Sequence, residues 1–250
     1  MNLQDRPRLS PLGDGAVIVQ FGDAVDAGTH ARVLGFVQAL ETAARHGRLA
    51  GVLEWVPAFA AVTVIVDDVD EAAAQQRDAL LLALATSAAP AATSGRRWWI
   101  PACFDADLAP DLEALAQARG LGLAQLRALL AGTPLRVYML GFMPGFPYMG
   151  DLPAALETPR LASPRKAVPA RSIAVAGRLC AIYPWVSPGG WHLVGRTPAR
   201  LFDAGADEPA LLRSGDELRW RVVDRDEFDR LDALAAAGRI DRRDWLQPAA

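Results

Sequence analysis

Residues 141–203 read GFMPGFPYMGDLPAALETPRLASPRKAVPARSIAVAGRLCAIYPWVSPGGWHLVGRTPARLFD. The stretch is a quarter of the chain yet holds nine of its eighteen prolines, and from residue 158 to 200 it carries seven basic residues and no carboxylate. Residues 172–176, 179–183 and 192–195 are apolar runs long enough only for β-strands between Gly/Pro turns, which predicts a barrel or sandwich. Proline fixes turns and glycine lets backbone N–H groups approach a ligand. With positive charge unopposed in the local sequence, the segment predicts a site for something small and anionic.

Working outward, residues 97–103 (RWWIPAC) form a strand too bulky to face solvent, and residues 135–140 form another. Two helical pieces near 111–119 and 123–130 are separated by Gly120-Leu121-Gly122. Residues 216–223 (DELRWRVV) alternate and are expected to close the sheet; 226–237 is a helix with Phe228, Leu231 and Leu234 inward. The β-rich domain thus spans about 96–225, with the helix completing a unit of 96–250. The first ninety residues differ. A strand at 16–21 (AVIVQF), a helix from 26 to about 46, strands at 51–56 and 61–66 around Pro57, and a helix at 69–86 give the order β-α-β-β-α. That order, with room for a further strand, predicts a ferredoxin-like split βαβ domain over 1–88. Residues 87–95 (SAAPAATSG) have the composition of a linker.

Bulk composition excludes several classes. The chain has 250 residues, formal charge −3 and 22% charged residues, typical of a globular protein. No apolar run suits a membrane span and the N-terminus lacks a signal-peptide core, so no membrane role is expected. Two distant cysteines, Cys103 and Cys180, predict free buried thiols in a reducing cytosol, hence a cytoplasmic protein. No basic tail supports nucleic-acid binding. Neither nucleotide loop, GxxxxGK[ST] or GxGxxG, is present, nor a GxSxG elbow. The three histidines are dispersed, so no metal site is expected. Catalytic machinery, if any, is unusual or shared with another chain.

Three strings carry chemistry. In residues 141–150, Phe142, Phe146 and Tyr148 alternate with Pro144 and Gly145; the rings either wall a pocket or fill a barrel core. In residues 163–172, Arg165, Lys166 and Arg171 lie on a stretch held extended by Pro164 and Pro169. They form either an anion receptor or a solvated basic edge strand. In residues 187–198, Gly189-Gly190 suggests an anion-binding nest and Trp191 a flat face. His192 is a candidate base or simply a packed histidine, and Arg196 and Thr197 could hold an oxyanion. Ser187 pairs with His192 only as a weak nucleophilic dyad, because no orienting acid is evident.

Taken together, GFMPGFPYMGDLP, TPR, SPR, VPA, IYP and SPGGWHLVGRTPARLFD, in this order, resemble one family. It is known as the 5-oxoprolinase B-subunit family, allophanate hydrolase subunit 1, sporulation-kinase inhibitor, or carboxyltransferase domain, subdomain C and D. LGDGAVIVQFGD and VPAF extend the resemblance more faintly across the chain. The resemblance implies an α+β fold, a small N-terminal domain joined to a cyclophilin-like β-barrel. It implies a non-autonomous part, inactive alone, of an ATP-dependent hydrolase converting 5-oxo-L-proline and water to L-glutamate. The partners would be a subunit 2 chain, of the 5-oxoprolinase C type, and an accessory protein of the A type. ATP is shared with the partner, and Mg2+ is expected with ligands unassigned. Arg165, Gly189, Gly190, His192 and Arg196 would face substrate or phosphate, with Phe142, Phe146 and Trp191 closing the pocket. The Ser-Ser-Lys amidase signature and a biotin-attachment segment are both missing. The alternative the family offers is a regulatory protein that inhibits a sensor histidine kinase; a structural part of a carboxylase-like assembly is a third.

The chain departs from the family pattern in several places. Arg171 replaces the usual glycine of VPAGS, Leu179-Cys180-Ala181 replaces a frequent Gln-Thr-Gly, Leu130 replaces a histidine, and His192 an amide. These changes, expected around one pocket, imply either a shifted substrate or a lost activity.

Overall fold

The computed structural model describes residues 6–67, 70–91 and 95–247. The chain divides into two compact units, Met1–Thr93 and Ser94–Ala250. Of the expected linker, Ser87 is the last residue of a helix, and residues 92–94 lie outside the described residues.

The first unit has strands β1 (Arg8–Pro11), β2 (Ala16–Gln20), β3 (Val52–Pro57) and β4 (Ala61–Val66), with helices α1 (Ala27–Arg45) and α2 (Glu71–Ser87). The sheet order is β1-β2-β4-β3, antiparallel throughout. Strands β2 and β3 therefore run parallel with β4 between them, which is the split βαβ arrangement. β1 is the further strand, supplied from ahead of β2. α1 starts where Asp26 accepts the Thr29 N–H at 2.9 Å, and that bond holds the Asp26 carboxyl below its usual range. Asp70 caps α2 the same way through Ala73; the expected start at residue 69 lies outside the described residues. Val33, Phe36 and Leu40 of α1 and Leu81 of α2 meet Val17, Val19, Val62 and Val64 of the sheet. The apolar period of 3.6 on the helices thus matches the period of 2 on the strands.

The second unit is built on a seven-stranded sheet of order β12-β9-β10-β7-β6-β13-β5. Its strands are β5 (Arg97–Ala102), β6 (Leu135–Leu140), β7 (Pro147–Gly150), β9 (Ser172–Ala176), β10 (Leu179–Ile182), β12 (His192–Arg196) and β13 (Glu217–Val222). A separate ribbon pairs β8 (Arg165–Val168) with β11 (Ser187–Gly189). Helices α3 (Leu112–Ala118), α4 (Leu123–Gly132) and α5 (Arg225–Ala236) complete the unit. Beyond the outer strands, Cys103 and Arg196 exchange two backbone hydrogen bonds of 2.9 Å, so the sheet curls into a half-barrel. The fold is α+β.

Two expectations need correction here. β13 does not close the sheet at an edge; it lies between β6 and β5 and runs parallel to β5. Of the two tryptophans in β5 only Trp98 is buried, while Trp99 on the other face is 46% exposed.

Alternation along β9 defines two layers. Ile173 and Val175 face the core that Leu112, Leu115, Leu126 and Leu130 of α3 and α4 fill. Ala174 and Ala176 face the other way, toward a smaller aromatic layer. Both cysteines are free and buried. Among the described residues no helix is long and apolar enough to cross a membrane.

Candidate functional site

The aromatic layer is the candidate site. Phe146 stands at its centre, with ring centroids 5.4 Å from Phe142, 5.0 Å from Tyr148 and 5.1 Å from Tyr183; Tyr148 in turn lies 6.0 Å from Trp191. Most of these contacts are edge-to-face, the geometry that ring quadrupoles favour. Ala174, Ala176 and Ala181 beneath them leave room for the rings.

The 141–146 loop that delivers Phe142 and Phe146 is tightly wound. Met143 donates to the Gly141 carbonyl at 2.8 Å around a Phe142 φ of +69°, a γ-turn of the strained, left-handed kind. Phe142 therefore projects outward and is 65% exposed. At Gly145 (φ +76°) a Cβ would come within 2.9 Å of the Leu201 carbonyl oxygen, so only glycine fits. Pro144 is exposed.

Charge surrounds the rings. The Arg160 guanidinium lies 6.0 Å above the Trp191 ring. Arg165 donates to Asp111 at 2.6 Å, and Lys166 is exposed with no protein partner among the described residues. Burial pushes the Tyr148 and Tyr183 phenols up. For Tyr183, Tyr148 adds to the rise, while Arg160 and Arg165 pull down. Both phenols consequently stay protonated donors at neutral pH. Flat rings bordered by hydroxyls and guanidiniums can hold a small planar anion.

Of the residues read from sequence, this face gathers Phe142, Phe146, Trp191, Arg165 and Gly189. Gly189 is required by space: a Cβ there would lie 2.3 Å from the Tyr183 hydroxyl. The expected nest is not formed, because neither Gly189 nor Gly190 has a left-handed φ and Gly189 is in a strand. The Gly190 carbonyl accepts the Leu161 N–H at 2.7 Å.

Other expected members lie elsewhere. His192 is registered with Val175, on the helix side of the sheet, and its Nε2 is 3.0 Å from the Pro159 carbonyl oxygen. Arg196, at the far end of β12, donates Nε–H to the Ala170 carbonyl at 3.0 Å; burial, then Arg225, push it below its usual value. Thr197 is fully buried and its hydroxyl accepts the Ala199 N–H, so it does not open onto the aromatic face. The Ser187 hydroxyl is buried without a hydrogen-bond partner and not beside His192's contacts.

The local absence of carboxylates also does not survive folding. Asp111 opposes Arg165 and Asp232 opposes Arg171. The family departures do not surround one pocket either. Leu130 and Cys180 are in the helix-side core, Leu179 packs at the aromatic layer, and Arg171 turns toward α5. Arg171 keeps a glycine-like φ of +67°. Sequence reasoning missed Tyr183, Arg160 and Asp111. The Ile182-Tyr183-Pro184 string offered a signal for Tyr183, whereas nothing local marks Asp111. Among the described residues no three His, Cys, Asp or Glu side chains are grouped to hold a metal ion.

An α+β chain with a curled half-barrel sheet has the fold of carboxyltransferase-type domains. The chain belongs to the family described as carboxyltransferase domain, subdomain C and D, whose profile matches residues 7–212. It is 32% identical over 232 residues to the B subunit of 5-oxoprolinase from Bacillus subtilis (strain 168), covering 88% of this chain and 95% of the relative. The protein of the same name from Escherichia coli O157:H7 is 35% identical over 229 residues, 86% and 95% of the two chains. Among solved structures, TTHA0988 superposes with a TM-score of 0.71 at 34% identity; 83% of this chain spans 40% of that longer one. The uncharacterized protein PH0987 from Pyrococcus horikoshii gives 0.53 at 32%, covering 88% of this chain and all of that one. Kluyveromyces lactis urea carboxylase gives 0.69 at 17% identity, over 96% of this chain and 24% of that one, a likeness of fold.

Proposed function

We propose that this chain is one subunit of an ATP-dependent hydrolase that opens 5-oxo-L-proline to L-glutamate, working with a subunit 2 chain of the 5-oxoprolinase C type and an accessory protein of the A type. The observation that carries the reading is the near full-length similarity to relatives named as the B subunit of 5-oxoprolinase. TTHA0988, in which this region is 40% of a longer chain, supports a fold that works beside further protein.

The chemistry explains why more than one chain is needed. An unstrained lactam resists water. Transfer of the ATP γ-phosphoryl group to its carbonyl oxygen activates the carbon and releases ADP. One water adds there and the ring C–N bond breaks, the nitrogen taking a proton, which leaves γ-glutamyl phosphate; a second water displaces phosphate to give glutamate. Negative charge on the phosphoryl oxygens calls for fixed donors. On this reading Tyr148, Tyr183, Arg160 and Lys166 supply them, Arg165 is held in place by Asp111, and Phe142, Phe146 and Trp191 exclude water. Mg2+ would accompany ATP and neutralise its phosphate charge, and its ligands would come from the partner, because among the described residues no three His, Cys, Asp or Glu side chains are grouped to hold it.

Co-expression with the C-type and A-type chains, followed by an ATP-dependent glutamate-release assay on 5-oxoproline, tests the proposal. Turnover by the complex and little by this chain alone is expected. An intact complex that releases no glutamate would overturn it.

A further inference from the structure

A cavity of about 450 Å³ lies where α5 ends; Trp185, Phe202 and Trp245 line it with Arg200, Asp203 and Asp241. Its size and aromatic lining suit a small ligand. Trp185 and Phe202 meet edge-to-face at 6.4 Å, and Trp185 remains half exposed. Asp203 and Asp241 each commit an oxygen to a local backbone N–H, of Gly205 and Arg243.

The cations behind this cavity are crowded. Arg200 reaches only the Ala236 carbonyl, at 3.5 Å. Arg171, from a left-handed backbone, pairs with Asp232 and approaches the Pro198 carbonyl at 3.4 Å. Asp232 and Ala236 are four residues apart on α5, hence one turn apart on one face, so the two guanidiniums stand side by side. Burial, then Arg196 and Arg200, lower Arg171 to about 10. Asp232 is the carboxylate that pairs with this group, since nearby Arg225 is already closed by Asp107 and Asp229. Arg171 is thus answered by Asp232, whereas Arg200 has no ion pair among the described residues and leaves one cation of the two open to an anion.

We propose that this cavity binds a small ligand with a flat ring and an anionic head, the ring against Trp185 and Phe202 and the head on Arg200 with Arg171 behind it. The site is separate from the aromatic face and independent of the reaction proposed above. Phe202 nevertheless packs against the 141–146 loop, since a Cβ on Gly145 would come within 2.8 Å of its own.

Calorimetric titration of the full chain with indole-3-acetate and with phenyl phosphate tests the assignment, the two probes carrying carboxylate and phosphate heads. Saturable binding of either is expected, weakened about tenfold or more by Arg200→Met and by Trp185→Ala. Arg171→Gly, whose backbone suits glycine, should fold and also bind more weakly. Arg230→Met, which removes an equal charge from the exposed side of α5, should bind as the parent does. No saturable binding of either probe, equal binding of neutral indole-3-acetamide, or undiminished binding by the folded Arg200→Met and Arg171→Gly variants would each overturn the proposal.

Discussion

Asp111 holds Arg165 across 54 residues of chain: one carboxylate oxygen takes the guanidinium at 2.6 Å and the other takes the Leu193 N–H at 2.7 Å. One side chain thereby ties the start of α3 to the β8 ribbon and to β12. Arg165 is consequently a fixed cation with a partner, not a free receptor waiting for an anion.

Asp111→Asn removes the charge and retains the shape. Two charge-assisted hydrogen bonds are weakened, and a loss of about 2 kcal/mol in urea denaturation is expected. Arg165→Met should cost about as much, and the double variant less than the sum of the two. Strict additivity would show that the pair is not coupled.

Gly189→Ala places a methyl 2.3 Å from the Tyr183 hydroxyl and 2.8 Å from its ring carbon. Overpacking of this kind costs about 1–3 kcal/mol. Adding Tyr183→Phe should restore part of the melting temperature, because the nearest clashing atom is gone. A Gly189→Ala chain as stable as the parent would contradict the packing described.

Phe142 offers a test of backbone strain. At φ +69° glycine is tolerated and alanine is not. Phe142→Gly should therefore be more stable than Phe142→Ala by about 1 kcal/mol, although both lose the contact with Phe146. The reverse order would show that the turn carries no strain.

Alkaline pH should weaken the fold. Burial raises the Cys180 thiol from its ordinary value near 9.0 to about 12, and raises Cys103, Tyr148 and Tyr183 as well. Below pH 9 both states are protonated and nothing is lost. Above it the unfolded chain releases protons that the folded chain keeps, so stability falls as pH rises. The slope from Cys180 alone is about 1.4 kcal/mol per pH unit between its unfolded and folded values. Arg171, lowered to about 10, works the other way: above that pH the unfolded chain keeps a proton that the folded chain gives up, so a destabilisation carried at lower pH is relieved and part of the Cys180 loss is offset. Denaturation curves of the parent and Cys180→Ala at pH 8 to 11 should diverge accordingly; parallel curves would contradict the assignment.

Much of the architecture was legible. Periodicity located α1, α2, α5 and the longer strands, because an element that buries one face must repeat its apolar residues. An edge strand is one of the two sequence readings of residues 163–172, where β8 lies, but its partner β11 escaped, being three residues long and carrying Pro188. The glycine doublet misled, since glycine serves both unusual φ and close packing, and at Gly189 the second applies. The carboxylates opposite Arg165 and Arg171 left no trace, because ion pairs across 54 and 61 residues impose no local pattern.

The parallel pairing of β5 with β13 has a consequence for synthesis. Arg97 leaves the ribosome some 120 residues before Glu217, its eventual neighbour. At about 5–20 residues per second, the interval is roughly 6 to 24 s. During it the outer edge of the growing sheet is a strand bearing Trp98 and Trp99, open to any other extended chain. A nascent chain stalled before Glu217 would present that edge indefinitely, which makes the synthesis of residues 97 to 217 the interval in which this protein most needs a chaperone.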